Sequence, residues 1–427
     1  MSGVKDLFFD EFYSELERVA GEIAAREEDM KQSILADEVK EKWIPYNGDS
    51  EDREGTLISV DGGIQQSDFA YGDFVAAGRA IALIHKPGEG RRMERKVRLY
   101  VGQVFEERDR GFIPGYVRTI CEYDAAYAAA KKVLDEGGQP VVLMDGSLYI
   151  GRFPYAVREY RHHPELLIDF FKSITRLRML ALDKGFPLVG IAKDSSVFFL
   201  YMELLKTAVT RAGLGSLVKQ LDEASSPLDL KGKIQNWSEV EWKQIEPWIE
   251  TRPLCDPLLV KESTETAGYT TPLYLSPSIY YADNDTLSLY RMVDKYLEAE
   301  TAKRVKEKIK EFFSAPGVAT TYWKPGPKAR PFRVDVLANL LGRPEAWNNH
   351  TRNIFLARNP NLERVLNHLG HWFCNEVEYN IPLKQADTLA HFDRDLYHRK
   401  YEPFIVRRLE EAGLDIEGKR REKRNLG

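Results

Sequence analysis

With 427 residues, 43% apolar and 30% charged side chains, the chain can bury a sizeable core and reads as one large or two modest globular domains. Its formal net charge of -5 leaves nucleic-acid binding open but confines any footprint to local patches. Cys121, Cys255 and Cys374 lack the paired spacing of zinc or redox sites, which points to a reducing cytoplasm, and no apolar run approaches the roughly 20 residues of a membrane-spanning helix.

The N-terminal segment, residues 1–50, is expected to be helical. Helical periodicity runs over 4–34, where Asp6, Asp10, Glu15 and Glu17 alternate with Leu7, Phe8, Phe9 and Phe12 in a pattern unlike a targeting peptide. The polar stretch Asn47 to Gly55 reads as a linker. The next segment, 51–200, begins with three β-rich runs, Leu57 to Val60, Phe74 to Ile84 and Val97 to Val104, which predict consecutive antiparallel strands. A helix from Tyr116 to Leu134, a strand from Val141 to Met144, a helix from Pro164 to Leu182 and a strand from Leu188 to Ala192 then give an α/β layer. Residues 201–315 read as a mainly helical insertion, with Trp237, Trp242 and Trp248 and a charged helix from Thr286 to Phe313. Strands return at Val318 to Trp323 and Phe332 to Val336 within 316–427, and the chain from Asn361 onward is expected to be helical with a basic tail.

The chemistry concentrates at strand ends. Ile58-Ser59-Val60-Asp61-Gly62-Gly63 puts a carboxylate at the end of an apolar strand, a pattern that alone is also an ordinary Asp-Gly turn. Val141-Val142-Leu143-Met144-Asp145-Gly146-Ser147-Leu148 repeats it. If the two strands are neighbours, Asp61 and Asp145 converge, and like charges that close require a cation or a proton between them. Glu122 shares a helix face with Ala125, Ala126 and Ala129, a surface small enough to press that acid against the sheet, unless it frays outward into solvent. Asp124 is a weaker competitor for the role. Three carboxylates suit an oxygen-liganded ion such as magnesium or manganese rather than zinc, and phosphodiester hydrolysis fits that ligand set; Asp61 is the candidate bridging ligand. Lys193-Asp194-Ser195-Ser196 closes another strand with a cation and hydroxyls, suited to a phosphate, although a helix cap with a surface Lys–Asp pair has the same spacing. Arg333-Val334-Asp335, preceded by Tyr322, Trp323, Lys324, Lys328 and Arg330, mixes cations and aromatics as single-strand grooves do, and also as a defended strand edge does.

In this order Asp61-Gly62-Gly63, Glu122, Asp145-Gly146-Ser147-Leu148, Lys193-Asp194-Ser195, Arg333-Val334-Asp335 and Tyr379 to His391 resemble the NurA nuclease family. The resemblance implies an α/β fold with an RNase H-like mixed sheet flanked by helices. It also implies manganese-dependent DNA cleavage, with magnesium as the alternative ion, by 5′ to 3′ exonuclease and single-strand endonuclease action. A homodimer acting in DNA end resection beside a hexameric HerA-type motor ATPase is implied as well. Asp61, Glu122 and Asp145 inherit the role of metal ligands, and Tyr379 and a nearby polar residue complete the site. Where the family commonly has Ala-His, this chain has Ala386-Asp387, with His391 four residues on, so either Asp387 or His391 fills the place of the histidine.

Three basic patches could meet DNA: Arg91, Arg92, Arg95, Lys96 and Arg98; Lys303, Arg304, Lys306, Lys308 and Lys310; and Lys419, Arg420, Arg421, Lys423 and Arg424. Each is also readable as a solvated face. Two other functions compete. One is a catalytically weakened DNA-end adaptor regulating the motor; the other is an actin-like phosphotransferase, which lacks support from a late Gly-rich adenosine loop.

Overall fold

The structure, a computed structural model, describes residues 8–28, 33–46, 48, 55–69, 72–86, 88–104, 107–150, 164–224, 226–233, 238–249, 253–277, 288–349, 352–375 and 377–413. The third basic patch, Trp237 and Thr286 lie outside them, as does most of the Asn47 to Gly55 linker.

One mixed sheet organises the chain. Its strands are β1 (Trp43–Pro45), β2 (Thr56–Asp68), β3 (Asp73–His85), β4 (Arg92–Gln103), β5 (Pro140–Asp145), β6 (Leu188–Ala192), β7 (Gly268–Thr270), β8 (Leu273–Leu275), β9 (Val318–Lys324), β10 (Phe332–Leu337) and β11 (Ile354–Phe355). Their order is β1-β7-β9-β10-β6-β5-β2-β3-β4, with β8 also on β9 and β11 on β8. β2, β3 and β4 form the expected antiparallel meander, whereas β5 and β6 run parallel to β2. This is an α/β, RNase H-like mixed sheet flanked by helices.

Both faces of the central strands are covered, which is why their sequences are almost uniformly apolar. Ile58 and Val60 of β2 join the core beneath the helices Glu107–Asp135 and Glu165–Lys184. Leu57 faces the other way, into a core with Leu362, Val365, Leu366 and Leu383 of the helices Pro360–His371 and Ile381–Ala390. A third cluster, built on Leu200, Leu204 and Leu205 of the helix Phe199–Arg211, packs Val39 of the helix Ala36–Glu41 and Leu259 and Val260 of the helix Asp256–Ser263 with Tyr322.

The segments expected to be helical contribute strands as well. β1 belongs to residues 1–50, and β7 and β8 belong to the 201–315 segment, so that segment is woven into the sheet. Thr271 and Pro272 separate β7 from β8 where both pair with β9, consistent with the missing N–H of proline. The charged helix expected up to Phe313 is two helices, Ser288–Tyr296 and Ala299–Ser314.

Two glycines separate close packing from open space. A Cβ on Gly190 of β6 would stand 2.5 Å from the Gly146 carbonyl oxygen, so Gly190 lets the turn after Asp145 lie flat on the neighbouring strand. Gly115, inside the 107–135 helix, has nothing within 4 Å of such a Cβ. Gly190→Ala should lower stability by about 1–3 kcal/mol through overpacking, while Gly115→Ala should raise it by about 0.5–1 kcal/mol through helix propensity. Urea midpoints of the two variants against wild type check both signs.

Candidate metal centre

The carboxylates meet because of strand register. In the parallel β2–β5 pair Val60 lies opposite Met144, so the next residues, Asp61 and Asp145, emerge side by side. β2 continues beyond this point on β3, but β5 stops, and Gly146 at φ +118 turns the chain away in a conformation that L side chains rarely adopt. Glu122 reaches the same place from the 107–135 helix. A Cβ on Gly62 would lie 2.7 Å from its Oε1, so glycine at 62 is what admits the acid.

The helix Ile381–Ala390 covers the site from the opposite face of the sheet. Ala386 and Ala390 pack on Ile81 and Leu83, and Arg79 of β3 donates from Nε to the Ala390 carbonyl at 3.0 Å and also to the His391 carbonyl. This lid brings Asp387 against Asp61, while Tyr379, just before the helix, stands by Asp145. His391 closes the helix as its C-cap, with an exposed side chain and its N–H bonded to the Asp387 carbonyl.

Burial, with the crowding of like charges added to it, sets the protonation. Burial, then Asp145, Glu122 and Asp387, push the Asp61 carboxyl up to about 7, against the Gly62 N–H that donates to it at 2.7 Å. Burial also raises Glu122, with Asp145 adding to the shift and Arg118 opposing it. The other acids have their own cations. Lys193 Nζ lies 3.0 Å from Asp145, Arg118 Nε 3.3 Å from Glu122, and Lys384 Nζ 2.9 Å from Asp387. The Lys384 pair, helped by Lys193 and by a hydrogen bond from Asp61, holds Asp387 below the ordinary carboxylate range. Burial and the neighbouring acids raise the Tyr379 phenol far enough that it stays protonated, and Lys193 Nζ sits 4.6 Å from the centre of its ring.

Among the described residues no three His, Cys, Asp or Glu side chains stand close enough to hold an ion as they are. The donor set nevertheless fits a hard divalent cation: all its members are oxygens, and Glu122 Oε1 is buried with no hydrogen bond, facing only the ion-pair contact of Arg118 at 3.3 Å. Lys193, Arg118 and Lys384 pair with three of the acids that would hold an ion.

Several expected DNA contacts require correction. Arg333 is only 3% exposed on β10, a central strand, and its guanidinium is spent on Asp335, at 2.9 Å to Oδ1 and 3.0 Å to Oδ2. Lys324 is 2% exposed and donates to the Thr264 carbonyl at 2.6 Å. Tyr322 and Trp323 are buried too, so β9 and β10 offer no stacking groove; Lys328 and Arg330 are exposed in the turn between them. Lys193 is exposed at the end of β6. Ser195 is half-buried, with an Oγ that has no hydrogen-bond partner. The helix that follows starts only at Phe199, and its first amides are taken by Asp256, from Leu200 N at 2.9 Å and Tyr201 N at 2.8 Å, so they are not open to a phosphate.

What Arg333 and Asp335 do is hold the loop that carries Asp145. Asp335 Oδ2 accepts from Ser147 Oγ at 2.7 Å, Leu148 N at 3.0 Å and Tyr149 N at 3.3 Å, and Arg178 donates to the Leu148 carbonyl at 2.8 Å. The Asp-Gly-Ser-Leu run is therefore fixed by a buried ion pair one strand beyond β6. Arg118, Lys384, Arg178 and Asp256 were not singled out from sequence; the first two had a local signal, a cation one helical turn before an acid.

The family model of the NurA domain matches residues 55–392, a span that contains the whole cluster. The chain belongs to the NurA family. Among solved structures, this NurA-family chain is similar to a NurA crystal structure with manganese, at 13% identity and TM-score 0.45 over 95% of this chain and 99% of that one. It is similar to a NurA structure bound to dAMP and manganese at 13% identity and TM-score 0.44 over 90% and 95% of the two chains. The catalytic domain of human endonuclease V aligns at 10% identity and TM-score 0.26 over 89% and 95%. No curated protein matches the chain. No helix among the described residues is long and apolar enough to cross a membrane.

Two outcomes follow from the charges. Asp61 binds its proton more tightly folded, at about 7, than in its ordinary range near 3.8, so between these values the native state holds the extra proton and stability is lost as pH rises. Burial gives His85 the opposite slope by lowering it to about 4, but that contribution is common to wild type and variant. In EDTA, Asp61→Asn should therefore gain on wild type progressively from pH 4 to 7 and level off above, as read from urea midpoints. Arg333→Met should cost about 3–5 kcal/mol by leaving Asp335 buried and uncompensated; unchanged stability with weakened DNA binding would instead return Arg333 to a DNA-contact role.

Proposed function

We propose that this chain is a divalent-metal-dependent deoxyribonuclease whose chemistry lies at Asp61, Glu122 and Asp145. The observation that carries the reading is the convergence of these acids with Asp387, where burial and, after it, the neighbouring carboxylates push the Asp61 carboxyl up to about 7. Four carboxyl groups gathered this closely suit a cation, and membership of a nuclease family makes a phosphodiester the substrate class.

Asp61, Glu122 and Asp145 would hold manganese, or magnesium in its place, with Asp387 beside them. When bound, such an ion supplies charge neutralisation and Lewis-acid activation of water. The remaining work falls to the chain. Lys193, exposed at its tip and balanced between Asp145 and the Tyr379 ring, can turn to a phosphate oxygen. Tyr379, kept protonated, can donate a hydrogen bond to a phosphate oxygen but cannot act as a base near neutral pH. Asp387 is the better-placed substitute for the family histidine, because it lies against Asp61.

The finer reading rests on the family resemblance: 5′ to 3′ exonuclease and single-strand endonuclease action, a homodimer, and end resection beside a HerA-type motor in the cytoplasm. DNA contact is assigned to Lys193 and Ser195, to the exposed Lys328 and Arg330, and to Arg91, Arg95 and Lys96 along the outer strand β4 and its approach. The helix 299–314 is a weaker candidate, since Arg304, Lys306 and Lys308 are paired with Glu165, Asp294 and Glu311. One observation favours the adaptor reading: three of the four acids already have cations of their own.

End-labelled single- and double-stranded DNA with manganese, magnesium or EDTA decides between them. Manganese-dependent cutting is expected, with Asp61→Ala and Asp145→Ala slower by roughly 10²–10³-fold or more, and Asp387→Ala impaired more than His391→Ala. Wild type that binds DNA and never cuts it, even beside the motor, is an adaptor.

A further inference from the structure

A second site lies on the same sheet face as Asp61, near the start of β2. Leu57 and Asp61 are four residues apart, about 13 Å at roughly 3.3 Å per residue, and alternate residues of a strand share a face. Around Leu57 and His85, at the open end of the β2–β3 pair, the end of the 360–371 helix closes a cavity of about 680 Å³. Its walls include His85, Lys86, Arg91, His368, His371 and Trp372.

The lining is selective. Trp372 is half-buried and offers a flat indole, braced edge-on by the His371 ring with centroids 4.8 Å apart. His85 is held by Ser59 Oγ at 3.0 Å and kept uncharged by burial, so its ring adds polarity without a charge. Lys86 is paired with Glu89, whereas exposed Arg91 makes no ion pair among the described residues. One aromatic platform, a neutral imidazole and an unspent guanidinium at the rim recognise a planar ring carrying an anion.

We propose that this cavity binds a nucleoside monophosphate unit, the base stacked on Trp372 and the phosphate at Arg91. The cavity shares no lining residue with the acid cluster, so occupancy does not require the metal centre. The choice of a nucleotide among aromatic phosphates rests on the nuclease reading, and the source is either a free mononucleotide or one nucleotide of a bound strand.

Calorimetric titration of the full chain in EDTA with dAMP, deoxyadenosine and inorganic phosphate tests the assignment. dAMP should bind better than either fragment, Arg91→Glu and Trp372→Ala should each weaken it by roughly tenfold, and Asp61→Asn should leave it unchanged. Arg91 is exposed, so its variant is expected to stay folded, and melting curves verify this for both. Competition by a 5′-phosphorylated single-stranded oligonucleotide identifies a strand as the source; its absence identifies the free nucleotide. No binding of dAMP in EDTA, or binding that responds to Asp61→Asn and not to Arg91→Glu, overturns the proposal. Metal-dependent cleavage by wild type is scored separately: a chain that cuts but does not bind dAMP loses only the second site, and one that binds but never cuts loses only the nuclease reading.

Discussion

The parallel pairing of β2 with β5 is the constraint on which the rest of the site depends. Opposing Val60 to Met144 forces Asp61 and Asp145 together, and a slip of one residue would turn Asp145 to the other face and dissolve the cluster. Such an arrangement is costly in a low-dielectric interior, so it persists only because the surrounding fold over-determines it. The glycines at 62 and 190, the Arg79 anchor under the covering helix and the buried Arg333–Asp335 pair are the means.

The Arg333–Asp335 pair is the deepest of these supports. A buried ion pair seldom adds stability over well-packed apolar residues of similar volume, but this one ends in three donors of the loop that carries Asp145. Its worth lies in geometry. β10 binds β6 antiparallel with Asp335 opposite Gly190, and Gly190 is the residue whose missing Cβ accommodates Gly146. The same three-strand layer thus fixes both the end of β5 and the turn that follows it.

What could be read from sequence was what depended on local pattern. Asp61 and Asp145 were visible because each ends an apolar run and precedes glycine, and Glu122 because alanines line its helix face. Arg333 and Lys324 were misassigned because a charge on an apolar strand has the same sequence whether it lines a groove or is neutralised inside. The partners that decide the matter lie far off in the chain: Thr264 for Lys324, and, for Asp335 beside Arg333, the Ser147 loop. β1, β7 and β8 span three residues each, too short for alternation to register. The break between the helices 288–296 and 299–314 had no proline or glycine to announce it. Asp387 and His391 could not be separated by spacing alone, since i and i+4 share a helix face; the helix ends at Ala390, which leaves His391 outside it.

Lys193 is where the supports and the chemistry meet. It pairs with Asp145, lies over the ring of Tyr379 and lowers Asp387, so one flexible ammonium neutralises parts of two acids at once. Its partners differ in permanence. Asp145 and Tyr379 are fixed by the sheet and the aromatic packing of Phe332 against Tyr379 at 5.6 Å, while the lysine's own strand ends at Ala192 and its tip is exposed. On the proposed reading, a phosphate entering from solvent competes for a member of the cluster that, like Arg118 and Lys384, has an exposed side chain and can move without disturbing the fold. Transfer of Lys193 from Asp145 to that phosphate would expose the carboxylate at the moment the substrate arrives, coupling the site's opening to occupancy rather than to a change in the sheet.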